Sequence, residues 1–273
     1  MDNSAEVIIL AGGLGTRLQE ETTLKPKPMV KIGRYPMLLH IMSIYIDQGF
    51  SNFIISAGYK AEVIREYFRD FELHSKDVEV THDNHGTIIS NYTKNKIINL
   101  KTELSALSKP WHINIVDTGI QTTTAGRILS VKQFIKSEHF MCTYGDGLAD
   151  INLKKLVDFH LTQNTLGTVT AVHPPSRFGE LQIQDNGTVS SFQEKPLSNS
   201  YINGGFFVFK KEVLNQIDDS KTLEEGLLSD LSIRQQLSAY IHNGFWQNMD
   251  TVREMNILNS HWHSNAAPWT NLK

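Results

Sequence analysis

The stretch that decides the fold runs from residue 7 to residue 28 and reads VIILAGGLGTRLQEETTLKPKP. Val7 to Leu10 is a short, apolar, β-branched run, which is typical of a buried strand. The strand leads into a glycine-rich turn, Ala11 to Gly15, and ligands bind at such turns on the carboxyl edge of parallel sheets. Glycines let backbone N–H groups converge on an anion. Since Arg17 and Lys27 would add charge-assisted bonds, the stretch predicts a phosphate-binding turn.

Two common nucleotide-binding loops fit this turn badly. The dinucleotide fingerprint requires a third glycine at position 18, which is Leu18, and the Gly-Lys-Ser/Thr of the Walker A loop is absent. The alternative is a plain tight turn with a surface arginine and lysine. The added Thr-Arg pair and the segment Lys25-Pro26-Lys27-Pro28 favour phosphate binding over that alternative.

Outward from this turn, strand and helix patterns alternate over the first ~150 residues, which predicts a mainly parallel, Rossmann-like sheet flanked by helices. The expected strands are 7–10, 52–56, 78–80, 112–116 and 140–144, and the expected helices are 36–49, 61–71 and 125–136. The segment 83–110 is rich in Asn, Lys and Thr and has weak periodicity. We expect it to be a lid, an arm or a disordered insertion.

The second half has a different pattern, with short strands expected at 168–173, 180–184, 188–193 and 205–209. Asp185-Asn186-Gly187 is a hairpin signal between two of them, so we expect a smaller antiparallel part in a mixed α/β fold. Helices are expected at 222–237 and 251–263. Because no linker-like stretch separates the halves, residues 1–273 are expected to form one domain.

Composition narrows the possible classes of protein. The 273 residues are 40% hydrophobic and 20% charged, which is ordinary for a globular protein and excludes a disordered or collagen-like chain. With Cys142 as the single cysteine, a disulfide framework is impossible. The net charge of −3 gives no electrostatic footprint for nucleic acid. No apolar run is long enough for a membrane span or a signal peptide, so we expect a cytoplasmic protein.

Two aspartates stand at the ends of apparent strands. Asp146 follows the run 140–144 and lies between two glycines, and Asp250 precedes the last helix. Mg²⁺ takes one or two carboxylates together with phosphate oxygens and water, so the pair predicts a magnesium site. The alternatives are a turn residue for Asp146 and a neighbour of a helix N-cap for Asp250.

Several motifs together resemble the sugar-1-phosphate nucleotidyltransferases, over roughly residues 5 to 270. They are the glycine-rich turn with the Lys-Pro-Lys-Pro segment, Thr143-Tyr144-Gly145-Asp146-Gly147, Arg177-Phe178-Gly179, Phe192-Gln193-Glu194-Lys195-Pro196, Ile202-Asn203-Gly204-Gly205-Phe206-Phe207 and the run from Gly244 to Thr251. Within that family, Asp117-Thr118-Gly119, Gly126-Arg127 and Ala267-Pro268-Trp269 are most similar to the glucose-1-phosphate cytidylyltransferases.

The resemblance implies a reaction and an organisation of the chain. It implies the nucleotide-diphospho-sugar transferase fold, with a nucleotide-binding half at about 5–150, a sugar-binding half at about 151–250, and a C-terminal helix and tail at 251–273. The implied reaction makes CDP-glucose and pyrophosphate from CTP and α-D-glucose 1-phosphate, by direct in-line attack with Mg²⁺. A homo-oligomer, with a hexamer as one form, is also implied. UTP or dTTP, another phosphorylated acceptor, or a non-catalytic nucleotide-sugar-binding protein are the alternatives.

The same resemblance implies roles for individual residues. The catalytic residues would be Arg17, Lys27 and Asp146, and the metal ligands Asp146 and Asp250. The nucleotide-binding residues would be Leu10, Ala11, Gly12, Gly13, Leu14, Gly15, Thr16, Arg17, Lys27, Thr122, Arg127 and Gly145. Glu194, Lys195 and Asn203 would bind the sugar phosphate. Two departures from the family pattern lie at Ala125, where the family typically has a second glycine before the arginine, and at Glu224-Glu225-Gly226, where cytidylyltransferases usually have a proline.

Overall fold

A computed structural model of the chain describes residues 5–71, 78–83, 86–91, 104–174, 178–194 and 200–270. The strands are β1 (Glu6–Ala11), β2 (Lys31–Ile32), β3 (Tyr35–Pro36), β4 (Asn52–Ala57), β5 (Val78–Asp83), β6 (Gly86–Asn91), β7 (His112–Asp117), β8 (His139–Tyr144), β9 (Gly147–Ala149), β10 (Gly167–Val172), β11 (Glu180–Ile183), β12 (Val189–Gln193), β13 (Ile202–Lys210), β14 (Leu237–His242) and β15 (Trp246–Asn248). The α-helices are α1 (Gln19–Thr22), α2 (Met37–Asp47), α3 (Ala61–Arg69), α4 (Thr124–Ser130), α5 (Leu153–Gln163), α6 (Ser229–Ile233) and α7 (Val252–His263). Short 3₁₀ helices include Thr16–Leu18 and Pro268–Thr270, and Glu224–Leu228 is a π-helical turn.

A seven-stranded sheet in the order β14-β10-β13-β8-β1-β4-β7 forms the centre of the molecule. Strands β8, β1, β4 and β7 run parallel to one another, and β10 runs parallel to β14. Strand β13 is antiparallel to both of its neighbours, β10 and β8. The expected mixed, mainly parallel α/β fold is therefore confirmed. The carboxyl ends of β1, β4, β7 and β8 meet at one edge, which is where a ligand-binding turn belongs.

The alternation of side chains along β1 explains why that strand is apolar throughout. Val7 and Ile9 belong to the hydrophobic core that contains helix α2, whereas Ile8 and Leu10 belong to a second core that contains Ile128 of helix α4. Successive side chains of a strand point to opposite faces, so both faces of β1 are covered. The buried strand fixes the position at which the glycine-rich turn leaves the sheet.

Three predicted elements differ from the observed ones. The prediction of one helix over 222–237 is wrong: the π-helical turn and α6 end at Ile233, and Leu237 begins the edge strand β14. The helix predicted at 125–136 is α4, which ends at Ser130, followed by a separate 3₁₀ turn at Lys132–Phe134. Within 83–110, strand β6 pairs with β5 as an antiparallel hairpin and Ser105–Ser108 is a 3₁₀ turn. The prediction of a lid or arm otherwise falls on 92–103, outside the described residues.

Residues near the C-terminus pack back onto the core. Trp269 is buried, and its indole N–H donates to Nδ1 of the buried His40 in helix α2 over 3.1 Å. Helix α7 begins with a capping box, in which Thr251 and Glu254 satisfy backbone N–H groups reciprocally. This arrangement fixes the segment that carries Asp250. In the part of the chain that the structure describes, none of the helices is long and apolar enough to span a bilayer.

Candidate active site

A cleft of about 690 Å³ lies at the carboxyl ends of β1 and β8. It is lined by the glycine-rich turn, by the segment after β8, and by the start of β13, which runs in the opposite direction. The lining residues are Leu10, Ala11, Gly12, Gly13, Leu14, Gly15, Thr16, Arg17, Lys27, Pro28, Ile120, Thr122, Thr124, Arg127, Thr143, Tyr144, Gly145, Asp146, Gly147, Ile202, Asn203, Gly204, Gly205, Phe206, Glu224, Trp246, Asn248 and Asp250.

The glycine-rich turn depends on the absence of side chains at two positions. Gly15 has φ of 65°, a left-handed conformation that disfavours residues with a Cβ. At Gly12, a Cβ would lie 2.0 Å from Nη1 of Arg127, so only glycine allows the guanidinium to approach. The hydroxyl of Thr22 donates to the Gly15 carbonyl over 3.0 Å and holds the far end of the turn.

Arg127 is buried against this turn and holds three loops together. Its Nη2 donates to the Gly12 carbonyl over 3.0 Å, and its Nη1 donates to the carbonyls of Ala57 at 3.1 Å and Gly119 at 2.9 Å. Nη1 also donates to the hydroxyl of Thr118 at 2.6 Å. The guanidinium therefore ties the glycine-rich turn to the segments after β4 and β7. Its contact with a nucleotide, implied by the resemblance, stays a prediction.

Lys27 lies between the two aspartates that the sequence singled out. Its Nζ is 2.6 Å from Oδ2 of Asp146 and 2.5 Å from Oδ1 of Asp250. Strand β9 pairs with β15, with Gly147 opposite Asn248, and this pairing brings the two aspartates together although they are far apart in the chain. Their carboxylates thus converge on a single cationic atom.

Arg17 and Asn248 complete the environment of Asp250. Nη1 of Arg17 and Nδ2 of Asn248 each donate to Oδ2 of Asp250 over 2.8 Å. Burial alone would raise the pKa of this carboxyl, but Lys27 and Arg17 outweigh it and hold the pKa below its usual range. Burial also disfavours the charged form of Lys27, yet Asp146 and Asp250 keep its pKa above the ordinary value. Asp250 and Lys27 are therefore both charged at neutral pH.

The donor set fits a divalent cation of the magnesium type. Asp146 and Asp250 already direct one oxygen each to the position of the Lys27 ammonium, and Mg²⁺ needs one or two carboxylates plus phosphate oxygens and water. Among the described residues, no group of three or more His, Cys, Asp or Glu side chains is arranged to hold a metal. The remaining ligands would therefore come from a bound phosphate compound and from water.

The other residues expected from the sequence are placed as follows. Thr122, Gly145 and Asn203 line the cleft, and the hydroxyl of Thr122 donates to the carbonyl of Thr118. Glu194 lies just after β12, is exposed, and is not among the lining residues. Lys195 lies outside the described residues.

Sequence reasoning missed several polar residues of the cleft. Tyr144 donates a hydrogen bond to Glu224, Thr124 lies beside Glu224, and the indole N–H of Trp246 donates to the Gly204 carbonyl over 2.8 Å. Tyr144 and Trp246 belong to the motifs quoted above, which was a signal for them. For Glu224 the signal was the departure from the family pattern at Glu224-Glu225-Gly226, but only the packing of the π-helical turn shows that this side chain lines the cleft.

Comparisons with known proteins agree with this geometry. The family model described as nucleotidyl transferase matches residues 6–253. The chain is 45% identical over 267 residues to the glucose-1-phosphate cytidylyltransferase of Salmonella typhi, which covers 97% of this chain and 98% of that protein. It is 29% identical over 260 residues to the mannose-1-phosphate guanylyltransferase catalytic subunit beta of Drosophila melanogaster, covering 92% of this chain and 61% of that protein.

Solved structures share the fold at low sequence identity. A UDP-glucose pyrophosphorylase complexed with UDP-glucose superposes with a TM-score of 0.66 at 17% identity, covering 96% of this chain and 99% of that chain. HddC from Yersinia pseudotuberculosis, complexed with GMP-PN, gives a TM-score of 0.63 at 20% identity, covering 95% and 100%. The matched family model and the full-length relative, together with a cleft built at the expected sheet edge, lead to one conclusion: this chain belongs to the nucleotidyl transferase family of enzymes.

Proposed function

We propose that this enzyme transfers the cytidylyl group of CTP to α-D-glucose 1-phosphate, which yields CDP-glucose and pyrophosphate. The observation that carries the proposal is the convergence of Arg17, Lys27, Asp146 and Asp250 beside a glycine-rich turn in one cleft. Such a site suits two phosphate compounds and a divalent cation. The full-length similarity to a glucose-1-phosphate cytidylyltransferase supports the choice of base and sugar.

The chemistry needs no general base. A phosphate monoester has a second pKa near 6, so the attacking oxygen of the sugar phosphate is largely anionic at neutral pH. The obstacle is that this anion must approach a polyanionic triphosphate. Catalysis therefore consists of alignment and charge neutralisation, with the sugar phosphate attacking the α-phosphorus in line and pyrophosphate leaving.

Different residues of the cleft would bind the triphosphate, neutralise its charge and bind the sugar phosphate. The turn from Gly12 to Gly15 would receive the triphosphate on its backbone N–H groups. Lys27, which is nearly buried, would neutralise charge at the α-phosphate, while the exposed side chain of Arg17 would follow the charge that develops on pyrophosphate. Asn203 lines the cleft and would bind sugar hydroxyls, and we assign the sugar phosphate to Lys195 and Glu194 on the basis of the family resemblance alone.

Asp146 and Asp250 would hold Mg²⁺, which when bound would supply positive charge to neutralise the phosphates. The residues of this chain direct both carboxylates to one point and keep Asp250 ionised. Lys27 and Arg17 favour the ionised form of Asp250, and the capping box of α7 fixes its backbone.

A substrate panel tests the proposal. Pyrophosphate release is measured with Mg²⁺, with CTP, UTP, dTTP, ATP or GTP, and with several sugar 1-phosphates. We expect the highest kcat/KM with CTP and glucose 1-phosphate, and no release when Mg²⁺ is removed with EDTA. A preference for another triphosphate or acceptor would reassign the substrates. Absence of pyrophosphate release with every pair, combined with nucleotide-sugar binding, would indicate a non-catalytic protein.

Direct attack has a second, independent test. Incubation with CTP labelled in the α-phosphate, without acceptor, should leave no label on the denatured protein, because no residue forms a bond with the nucleotide. A covalent cytidylyl-enzyme would contradict the in-line scheme.

The proposal also includes the oligomeric state of the protein. We propose a homo-oligomer, with a hexamer as the form implied by the resemblance. Light scattering coupled to size-exclusion chromatography measures the mass directly, and a single species near the monomer mass of 30.9 kDa would contradict it.

A further inference from the structure

Glu224 places a carboxylate in the wall of the cleft, and it belongs to the segment before Leu227-Leu228 in which the proline of the cytidylyltransferase pattern is absent. It is the first residue of the π-helical turn Glu224–Leu228. Leu223 and Leu227 of the same segment are buried in the core and anchor the turn. Because these leucines fix the turn, Glu224 remains directed to the cleft.

A hydrogen-bonded chain orients this carboxylate. Nδ2 of Asn203 donates to the hydroxyl oxygen of Tyr144 over 3.1 Å, and the Tyr144 hydroxyl in turn donates to Oε1 of Glu224. Oδ1 of Asn203 accepts the backbone N–H of Gly205 over 2.8 Å, which fixes which way the amide points. The donated hydrogen bonds therefore all run in one direction, from Asn203 through Tyr144 to Glu224.

Glu224 keeps accepting capacity for a ligand. Thr124 donates to its Oε2 over a long 3.4 Å, and an ionised carboxylate has about four acceptor sites, of which these contacts use two. Asp146 and Asp250 are both paired with cations, whereas no described Lys, Arg or His side chain lies within 4.0 Å of the Glu224 carboxylate. Among the described residues, its carboxylate therefore has no direct ion-pair partner, and its negative charge faces a ligand that enters the cleft.

The position of Tyr144 indicates which substrate meets this charge. Tyr144 ends β8, and β8 lies between β1, which leads into the glycine-rich turn, and β13, whose second residue is Asn203. Tyr144, which orients Glu224, therefore lies on the Asn203 side of the glycine-rich turn. A carboxylate there accepts hydrogen bonds from hydroxyls and repels a second anion.

We propose that Glu224, oriented by Tyr144, determines acceptor specificity: it favours a sugar phosphate whose ring carries only neutral hydroxyls and disfavours one whose ring carries a further negative charge. This inference rests on the proposed function, in which the acceptor is a sugar 1-phosphate. It goes further in naming the residue that discriminates and the property it discriminates against.

The experiment compares Glu224→Gln with Glu225→Gln. The second variant removes the same charge from the next residue, whose carboxylate accepts from Thr222 and does not line the cleft. The kcat/KM is measured with CTP for α-D-glucose 1-phosphate and for α-D-glucuronic acid 1-phosphate. We expect Glu224→Gln to reduce the preference for the neutral acceptor about tenfold or more, as expected for removal of a close like charge. Glu225→Gln should leave the preference unchanged.

Two further measurements distinguish a failure of the proposed role of Glu224 from a failure of the proposed function. Tyr144→Phe, which frees the Glu224 carboxylate, should reduce the preference in the same direction but by less. An unchanged acceptor preference in Glu224→Gln, or a raised KM for CTP with the preference intact, would overturn the proposal. If the wild type transfers nothing, equilibrium binding of the two sugar phosphates to wild type and Glu224→Gln still decides the role of Glu224, while the proposed function alone fails.

Discussion

At the scale of single residues, Arg17 and Lys27 both contact Asp250 but differ in exposure. The side chain of Arg17 is 72% exposed and that of Lys27 is 11% exposed. An exposed ion pair contributes little to stability, whereas a flexible guanidinium beside the cleft can follow charge during the reaction. Because the side chain of Arg17 is exposed, a substitution there should change turnover much more than it changes the stability of the fold.

We therefore expect Arg17→Ala to lower kcat by about 100-fold or more, the size typical of losing one donor to a transition-state charge. The melting temperature should stay close to that of wild type. Arg234→Ala is the matched control, because Arg234 is also exposed and pairs with Gln216 away from the cleft. Steady-state pyrophosphate release and thermal melts measure both effects, and near-normal turnover of Arg17→Ala would remove this residue from the mechanism.

In contrast to Arg17, Arg127 should contribute strongly to the free energy of unfolding. Replacing it with Met removes the guanidinium donor from the carbonyls of Gly119 and Ile120 and one of the donors from those of Gly12 and Ala57, which keep backbone N–H partners. Losing several hydrogen bonds to a buried charged group is costly. We expect a loss of about 3 kcal/mol in the free energy of unfolding, from urea titrations. Arg65→Met is the control, since Arg65 makes only a half-exposed pair with Asp117 at 3.6 Å. Equal losses in both variants would contradict the structural role of Arg127.

These residues also mark how far the sequence can predict a site. Asp146 was predictable because it follows the apolar strand β8, whose carboxyl end lies at the ligand-binding edge of the sheet. Asp250 follows the short strand β15, and the pairing of β15 with β9 brings it to Asp146. The contacts of Arg127 were not predictable, because its acceptors are backbone carbonyls of three loops that no side-chain pattern encodes. Glu224 was not predictable for the same reason, since its partner Tyr144 is remote in sequence.

At the scale of elements, the N-terminus of helix α7 links helix stability to the active site. Oε2 of Glu254 accepts the backbone N–H of Asp250 over 2.7 Å and that of Thr251 over 3.0 Å. The same carboxylate therefore caps the helix and fixes the backbone of a proposed metal ligand. Losing it should affect both properties at once.

We expect Glu254→Ala to cost about 1 kcal/mol in stability, as for other helix caps, and to lower the affinity for Mg²⁺ measured as the half-saturating concentration in turnover. Asn152→Ala is the control, because Asn152 caps helix α5 by accepting from Lys155 over 2.9 Å and does not line the cleft. It should lose similar stability without changing the Mg²⁺ requirement. If the two variants have the same Mg²⁺ dependence, the cap does not position Asp250.

The predicted elements were right where local pattern and tertiary context agree. Strands β1, β4 and β8 are mainly apolar runs buried in the sheet, and β7 is a half-buried edge strand with alternating apolar residues. The predictions for all four hold within about two residues. Helix α5 was missed although its signal was present, since Leu153, Leu156, Val157 and His160 recur at helical spacing and are buried. Strand β14 was missed because an edge strand with polar and apolar residues has a weak pattern, and only its pairing with β10 reveals it.

At the scale of the whole molecule, the attachment of the C-terminal segment to helix α2 makes stability depend on pH. Indole N–H groups only donate, so Nδ1 of His40 must be unprotonated to accept from Trp269, and Nε2–H then donates to the Ile32 carbonyl over 3.0 Å. Burial lowers the pKa of His40 to about 4, well below the ordinary value of 6.5. The folded state therefore holds His40 neutral at pH values where the unfolded chain is already protonated.

The sign of the pH effect follows directly. Because the unfolded state binds the proton more tightly, stability from His40 is fully present above pH 6.5 and is lost as pH falls from 6.5 towards 4. The loss should reach about 3 kcal/mol at the acid end of this window. His160, whose pKa burial also lowers to about 4, adds a second proton in the same window. Burial lowers the pKa of His139 as well, which adds a smaller share, so the contribution of His40 is identified by its own variant.

Urea unfolding at half-unit steps between pH 7 and pH 4.5 measures this dependence. In wild type, the free energy of unfolding should decline towards acid with a limiting slope close to two protons. His40→Gln should be less stable at pH 7 but should decline with a slope smaller by one proton, since glutamine does not titrate and can still accept from Trp269. Trp269→Phe, which removes the donor and leaves the imidazole, should keep the two-proton slope. Equal slopes in wild type and His40→Gln would show that the buried His40 does not contribute to the pH dependence of stability.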